Sequence, residues 1–141
     1  MANKSRLLVK SDFETLSEFR YQMRRFERFS ERAAAQEGLT PQQYLLLLHI
    51  KGTPDRTWAS VGEIAERLQI QPHAAVALVS RCEALSLVER RASTVDRRSV
   101  EVHLLARAEV LLQRLAAMHR AELKSLGGAF QVPQIDLADP V

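Results

Sequence analysis

The sequence predicts a mainly α protein with a small β-wing: a winged helix-turn-helix domain whose N- and C-terminal long helices form a dimerisation platform. Three observations carry this expectation. Two helix starts, Ser60-Val61-Gly62-Glu63 and Gln71-Pro72, follow each other closely, as a helix-turn-helix requires. Beyond Ser86 the apolar period changes from helical to two, on either side of an arginine-bearing loop. Stretches with apolar stripes at helical spacing flank this region, over 11–36 and 105–126.

Taken in order, residues 1–10 form a polar, basic arm. Ser11-Asp12-Phe13-Glu14 has the spacing of a capping box, which predicts a helix to about Gln36, with Glu37-Gly38 as its stop. Phe13, Leu16, Phe19, Met23 and Phe26 fall at helical spacing, and most of the aromatic residues lie between Phe13 and Phe29. They suit a core face or the wall of a pocket for an aromatic ligand; Phe19, Met23 and Tyr44 are the candidate lining. The arginines of this helix, interleaved with Glu27 and Glu31, suit a solvated face.

Thr40-Pro41-Gln42-Gln43 caps the next helix, whose run Tyr44–Ile50 is apolar nearly all round and therefore central. Gly52-Thr53-Pro54-Asp55 ends it with turn chemistry. Thr57-Trp58-Ala59 is short enough for a third strand beside the wing, with Trp58 a packing residue. The helix opened by Ser60 turns Ile64, Ala65 and Leu68 inward. The one opened by Pro72 turns Ala75, Leu78, Val79 and Cys82 inward. Leu87–Arg91 and Val100–Leu104 pair as strands around Ala92–Arg98. In the last long helix Ala108, Leu111, Leu112, Leu115, Met118 and Leu123 make a stripe wide enough to pack inward and against a partner. Gly127-Gly128 ends it, and a short tail follows to Val141.

A chain of 141 residues holds one domain comfortably, and its 46% hydrophobic and 26% charged residues are ordinary for a globular protein. The net charge is only +3, so the clustering of arginine in the wing says more about partners than the total does. Cys82 is the single cysteine; no internal disulfide can form, which suits a cytoplasmic location. No stretch reads as a signal peptide or a membrane span. His49, His73, His103 and His119 are scattered without metal-ligand spacing, and no phosphate loop or nucleophile elbow is present. Neither an enzyme, a cofactor nor a metal is expected.

Helix, turn, helix and basic hairpin place the second helix in a DNA major groove. Gln71, Pro72, His73, Ala74, Ala77 and Arg81 are its candidate contacts; His73 equally suits a solvated position. Arg90, Arg91, Thr94, Asp96, Arg97 and Arg98 are the candidate contacts of the wing, with phosphate or the minor groove as target. Asp96 is expected to hold one neighbouring guanidinium while the other reaches DNA. Phe13 and Leu16 at one end of the chain, and Leu115, Met118, Leu123 and Leu126 at the other, are the candidate dimer interface.

Leu87-Val88-Glu89-Arg90, then Asp96-Arg97-Arg98, then Val102-His103-Leu104 opening a long helix, resembles the MarR family of bacterial transcriptional regulators. The resemblance covers roughly residues 11–126. Ser86, Leu105 and Ala108 depart from the family's glycine, threonine and glycine, and the tail is shorter than the family's terminal helix. The resemblance implies a single domain over 1–141: dimerisation helices at 11–36 and 105–126, a DNA-binding lobe at 57–104, and a tail at 127–141. It also implies a homodimeric repressor on a pseudo-palindromic operator, released by a small ligand. Two other readings stand beside it: a winged-helix module that binds protein, and a redox-sensing regulator using Cys82.

Overall fold

The computed structural model describes residues 7–127 and 132–135. The expectations for residues 1–6, Gly128, and the tail segments 129–131 and 136–141 lie outside the described residues. Eight elements follow in order: α1 (Lys10–Gln36), α2 (Pro41–Lys51), β1 (Trp58–Ser60), α3 (Val61–Leu68), α4 (Pro72–Ala84), β2 (Val88–Ala92), β3 (Val100–Leu104) and α5 (Ala106–Leu126).

α1 opens before the expected cap. Val9 precedes its first turn, and the Asp12 carboxylate accepts the Val9 N–H at 2.8 Å. Ser11 lies inside the helix, where its carbonyl accepts the Thr15 hydroxyl at 3.0 Å. Asp12 wins because a carboxylate in the first turn satisfies an orphan donor and complements the positive helix end. The boxes at Thr40 and Ser60 form as expected: each hydroxyl accepts the N–H of Gln43 or Glu63, and each of those side chains returns a bond.

Three helices close in one way. Gly38, Gln69 and Ser86 adopt left-handed φ values of 77°, 54° and 59°. The N–H of the following Leu39, Ile70 and Leu87 then returns to the carbonyl of Ala34, Ala65 and Cys82, at 2.9, 3.0 and 3.0 Å. This closure satisfies free carbonyls and turns an apolar residue back onto the core. Leu39 and Leu87 are buried there, and Ile70 packs against the cluster.

The core gathers around α2. Tyr44, Leu46, Leu47 and Ile50 are buried, and the helix touches α1, α3, α4, α5, β1 and β3. Ile64, Leu78, Val79, Cys82, Val88, Val102, Leu111 and Leu112 close over it. The strands form an antiparallel sheet in the order β1-β3-β2, with Ala59 opposite Val102 and Arg90 opposite Val102 on the other side. Leu105 N–H reaches the Leu87 carbonyl at 2.9 Å, and Lys51–Glu109 (2.9 Å) and Arg114–Glu37 (3.1 Å) tie α5 to the rest.

Two expectations change here. Leu115 belongs to the core and not to a dimer surface: it is 0% exposed, covered by its own chain. Met118 likewise packs in part against that core. Tyr44, a candidate pocket-lining residue, is buried. Its ring stacks on His119 at 5.1 Å between centroids, and Phe26 and Phe29 meet the same imidazole edge-on. His119 completes the cluster with Nδ1 2.7 Å from the Leu115 carbonyl and Nε2 2.9 Å from the Ser30 hydroxyl. Phe26, Phe29 and Tyr44 thus join α1 and α2 to His119 of α5. Phe19 and Met23 are half-buried on α1.

Candidate nucleic-acid interface

α3 is fixed first. Glu63 holds the Ser60 cap and pairs with Arg56, whose guanidinium lies over the Trp58 ring at 4.3 Å. Burial pushes the Glu63 carboxyl up, but the bonds from Ser60 and the charge and hydrogen bond of Arg56 outweigh it and hold it below its usual range. The left-handed Gln69 then turns the chain, and Pro72 starts α4 at a position where its missing N–H costs nothing.

α4 buries Ala75, Leu78, Val79 and Cys82, which leaves His73, Val76, Ala77, Ser80, Arg81 and Ala84 exposed along the opposite face. Gln71 and Pro72 are exposed at its start, and Ala74 is half-buried. Gln71 makes no side-chain cap, so its amide stays available to a partner. Val76, 47% exposed, belongs to this face and was missed from the sequence. Its spacing of three from His73 was the available signal.

The hairpin tip braces itself. Ser93 Oγ accepts the N–H groups of Val95 and Asp96 at 3.2 and 3.1 Å. Asp96 Oδ1 accepts the backbone N–H of Arg98 at 3.0 Å. Asp96 therefore holds the loop backbone and not a guanidinium, because a short side chain reaches its own turn more readily than a neighbour's long one. Arg97 and Arg98 are exposed, and their guanidinium groups take no ion pair among the described residues. Thr94 is exposed beside them, and Val95 is 94% exposed at the tip.

The other two wing arginines are engaged. Arg91 Nε bonds Glu89 at 2.5 Å, and its Nη1 lies 3.3 Å from His103 Nδ1, whose Nε2 meets Glu101 at 2.9 Å. Arg90 spends its guanidinium inside the protein, on Glu83, Val76 and Ser80. The wing contact expected of Arg90 is thus engaged within the chain. Glu83 had no role in the sequence reading, since nothing local signals a pair between a helix and the strand after it.

Cys82 is buried on the inner face of α4, and burial pushes its thiol up to about 11. A thiol so held is not the exposed, low-pKa thiolate a redox sensor needs. Among the described residues no cluster of His, Cys, Asp and Glu is placed to hold a metal ion.

An exposed second helix, a short cap-and-turn before it and a braced basic hairpin after it define a winged helix-turn-helix protein. Residues 37–99 match the model of the MarR family. It is similar to the HTH-type transcriptional repressor MdtR of Bacillus subtilis, 29% identical over 85 residues. That match takes in 60% of this chain and 53% of the relative, so the chain spans about half the length of that curated protein. Among solved structures, AbsC, a MarR family transcriptional regulator from Streptomyces coelicolor, superposes with a TM-score of 0.75 at 18% identity, over 91% of this chain and 86% of its own. An S. aureus MepR mutant bound to an oligodeoxyribonucleotide superposes with a TM-score of 0.64 at 17% identity, over 85% and 83%.

Proposed function

We propose that this protein is a sequence-specific DNA-binding transcriptional regulator, a homodimeric repressor released by a small ligand. One observation carries the reading: the exposed face of α4 lies in the same lobe as a braced wing tip whose Arg97 and Arg98 have no counter-ion among the described residues. Such a pair supplies phosphate or minor-groove contacts while α4 reads base edges. Gln71, His73, Ala77 and Arg81 are the base-reading and flanking contacts of α4, with Pro72 and Ala74 close to the backbone. Thr94, Arg97 and Arg98 are those of the wing, and Arg91 joins them with its charge partly offset by Glu89. The MepR complex and the repressor name of MdtR support the same reading.

A second copy is the partner that suits the chain ends. Phe13 and Leu16 on α1 and Leu123 on α5 are 57%, 37% and 49% exposed, and Leu126 is half-buried. A second copy covering them makes the operator pseudo-palindromic. For the released state, a cleft of about 250 Å³ lies where α1 meets α2, lined by Phe26, Ser30, Pro41 and Leu45. No helix among the described residues is long and apolar enough to cross a membrane, which accords with action on cytoplasmic DNA.

The test is selection of bound duplexes from a random pool, followed by fluorescence anisotropy across a salt series. Enrichment of a two-fold-symmetric motif, with affinity falling steeply as salt rises, is expected. No binding to any duplex would overturn the reading in favour of a protein-binding winged helix.

A further inference from the structure

Arg90 ties the wing to α4 by four hydrogen bonds. Its backbone N–H donates to Glu83 Oε2 at 3.0 Å, and its Nη1 donates to Oε1 of the same carboxylate at 2.9 Å. Nη2 donates to the Ser80 hydroxyl at 2.9 Å and to the Val76 carbonyl at 3.1 Å. Val76, Ser80 and Glu83 stand at successive turns of one side of α4, and Arg90 is the middle residue of β2. A planar fork can serve three such acceptors at once, whereas an ammonium acts as a point charge. The Arg90 N–H bonded to Glu83, with the guanidinium beside it, holds that carboxyl below its usual range.

The position of this bond set matters more than its strength. Between α4 and β2 the covalent link is the turn of Leu85, Ser86 and Leu87, and the wing tip stands beyond β2 at roughly 3.3 Å per residue. A small rotation at the root of such a lever swings Arg97 and Arg98 by ångströms. Val76 and Ser80 also belong to the exposed face of α4, so the guanidinium joins the wing to the side of the helix placed to meet bases.

We propose that Arg90 is a positioning residue that locks the wing to the recognition helix, so that the major-groove and wing contacts are read at one fixed spacing. This rests on the DNA-binding reading, and one arm of the test avoids DNA altogether. Spin labels on Val95→Cys and Ala84→Cys report the wing-to-helix distance in the free protein; buried Cys82 stays unlabelled. A narrow distance distribution is expected with Arg90 in place. It broadens in Arg90→Gln and, to a lesser degree, in Glu83→Gln, which keeps the shape of the side chain. Thermal melts identify any variant that fails to fold, and Glu83→Gln then carries the comparison. Unchanged widths overturn the lock.

The second arm uses the duplex the wild type selects, and the same duplex with one base pair inserted between the α4 contact and the wing contact. The insertion moves the contacts apart by about 3.4 Å and turns them by about a tenth of a helical turn. The wild type is expected to lose about tenfold in affinity on the inserted duplex. Arg90→Gln loses about tenfold on the selected duplex and almost nothing more on the inserted one, and Arg90→Lys falls between. If instead Arg90→Gln weakens both duplexes by one factor while the label distances hold, Arg90 is a direct contact and the lock is wrong. A wild type that selects no duplex sinks the regulator reading; the lock then stands or falls on the label distances.

Discussion

Ser86 holds a left-handed conformation, φ 59°, that a side chain with a Cβ adopts at a cost of about 1 kcal/mol. Gly38, in the same structural role at the end of α1, avoids that cost. Ser86→Gly is therefore expected to raise stability by about 0.5–1 kcal/mol, or roughly 3 °C in Tm, read by thermal denaturation. Gln69→Gly should gain less, because Gln69 Nε2 also donates to the Glu66 carbonyl at 2.8 Å and that bond would be lost. Gly38→Ala should lower stability although nothing lies within 4 Å of the added carbon; the penalty there is in the backbone alone. Cys82 yields a prediction in pH. Its folded value, about 11, lies above the ordinary 9.0, so its contribution to stability is complete below pH 9 and is lost as pH rises through about 11. Iodoacetamide should leave the folded protein unmodified at neutral pH; rapid alkylation under native conditions would restore the redox-sensor reading.

At the scale of elements, the proposed function gives α4 and the wing separate parts in recognition. α4 presents small residues, Ala74 and Ala77, between Gln71 and Arg81, so its backbone approaches a groove closely. Gln71 can serve an adenine edge with both amide groups. Gln71→Ala should change preference at one base pair by about 1–3 kcal/mol and leave nonspecific affinity nearly unchanged. A uniform loss across sequences would make Gln71 a backbone contact. On the same proposal the wing acts through charge. Arg97→Ala should weaken specific and nonspecific duplexes alike and flatten the log–log salt slope by about 1. A slope unchanged within error would remove Arg97 from the interface. Arg98→Ala serves as the comparison, since the Asp96 bond to the Arg98 backbone survives that change.

For the whole molecule the testable quantity is assembly. Leu115 is a core residue, so a charge there reports on folding and says nothing about a partner. Phe13 and Leu123 are the better probes, because each is about half exposed in the single chain. Phe13→Asp with Leu123→Asp should leave the thermal transition near that of the wild type, shift sedimentation to monomer, and abolish high-affinity operator binding while retaining weak nonspecific binding. A wild type that sediments as monomer at micromolar concentration and still binds its operator tightly would overturn the homodimer.

The sequence by itself determined the order of elements and most of their ends, because those signals are local. A serine or threonine three residues before glutamate or glutamine, a proline at a first helical turn, and a change of apolar period each act within a few residues. The boxes at Thr40 and Ser60, the start at Pro72 and the pairing of Val88–Ala92 with Val100–Leu104 were all readable this way. At α1 the local signals competed, and Asp12 prevailed over Ser11. Tertiary structure decided which partner each side chain meets. Four wing arginines look alike in sequence, yet Arg90 faces Glu83 across the α4–β2 junction, Arg91 leans on Glu89 and His103, and Arg97 and Arg98 are left exposed. Leu115 and Leu123 share one helical stripe, but only the first lies where the core closes over it. Tyr44 suits a core or a pocket wall in sequence, and its stacking partner His119 lies far along the chain. In each case the deciding partner comes from another element, and which residues meet depends on how those elements pack rather than on spacing along the chain.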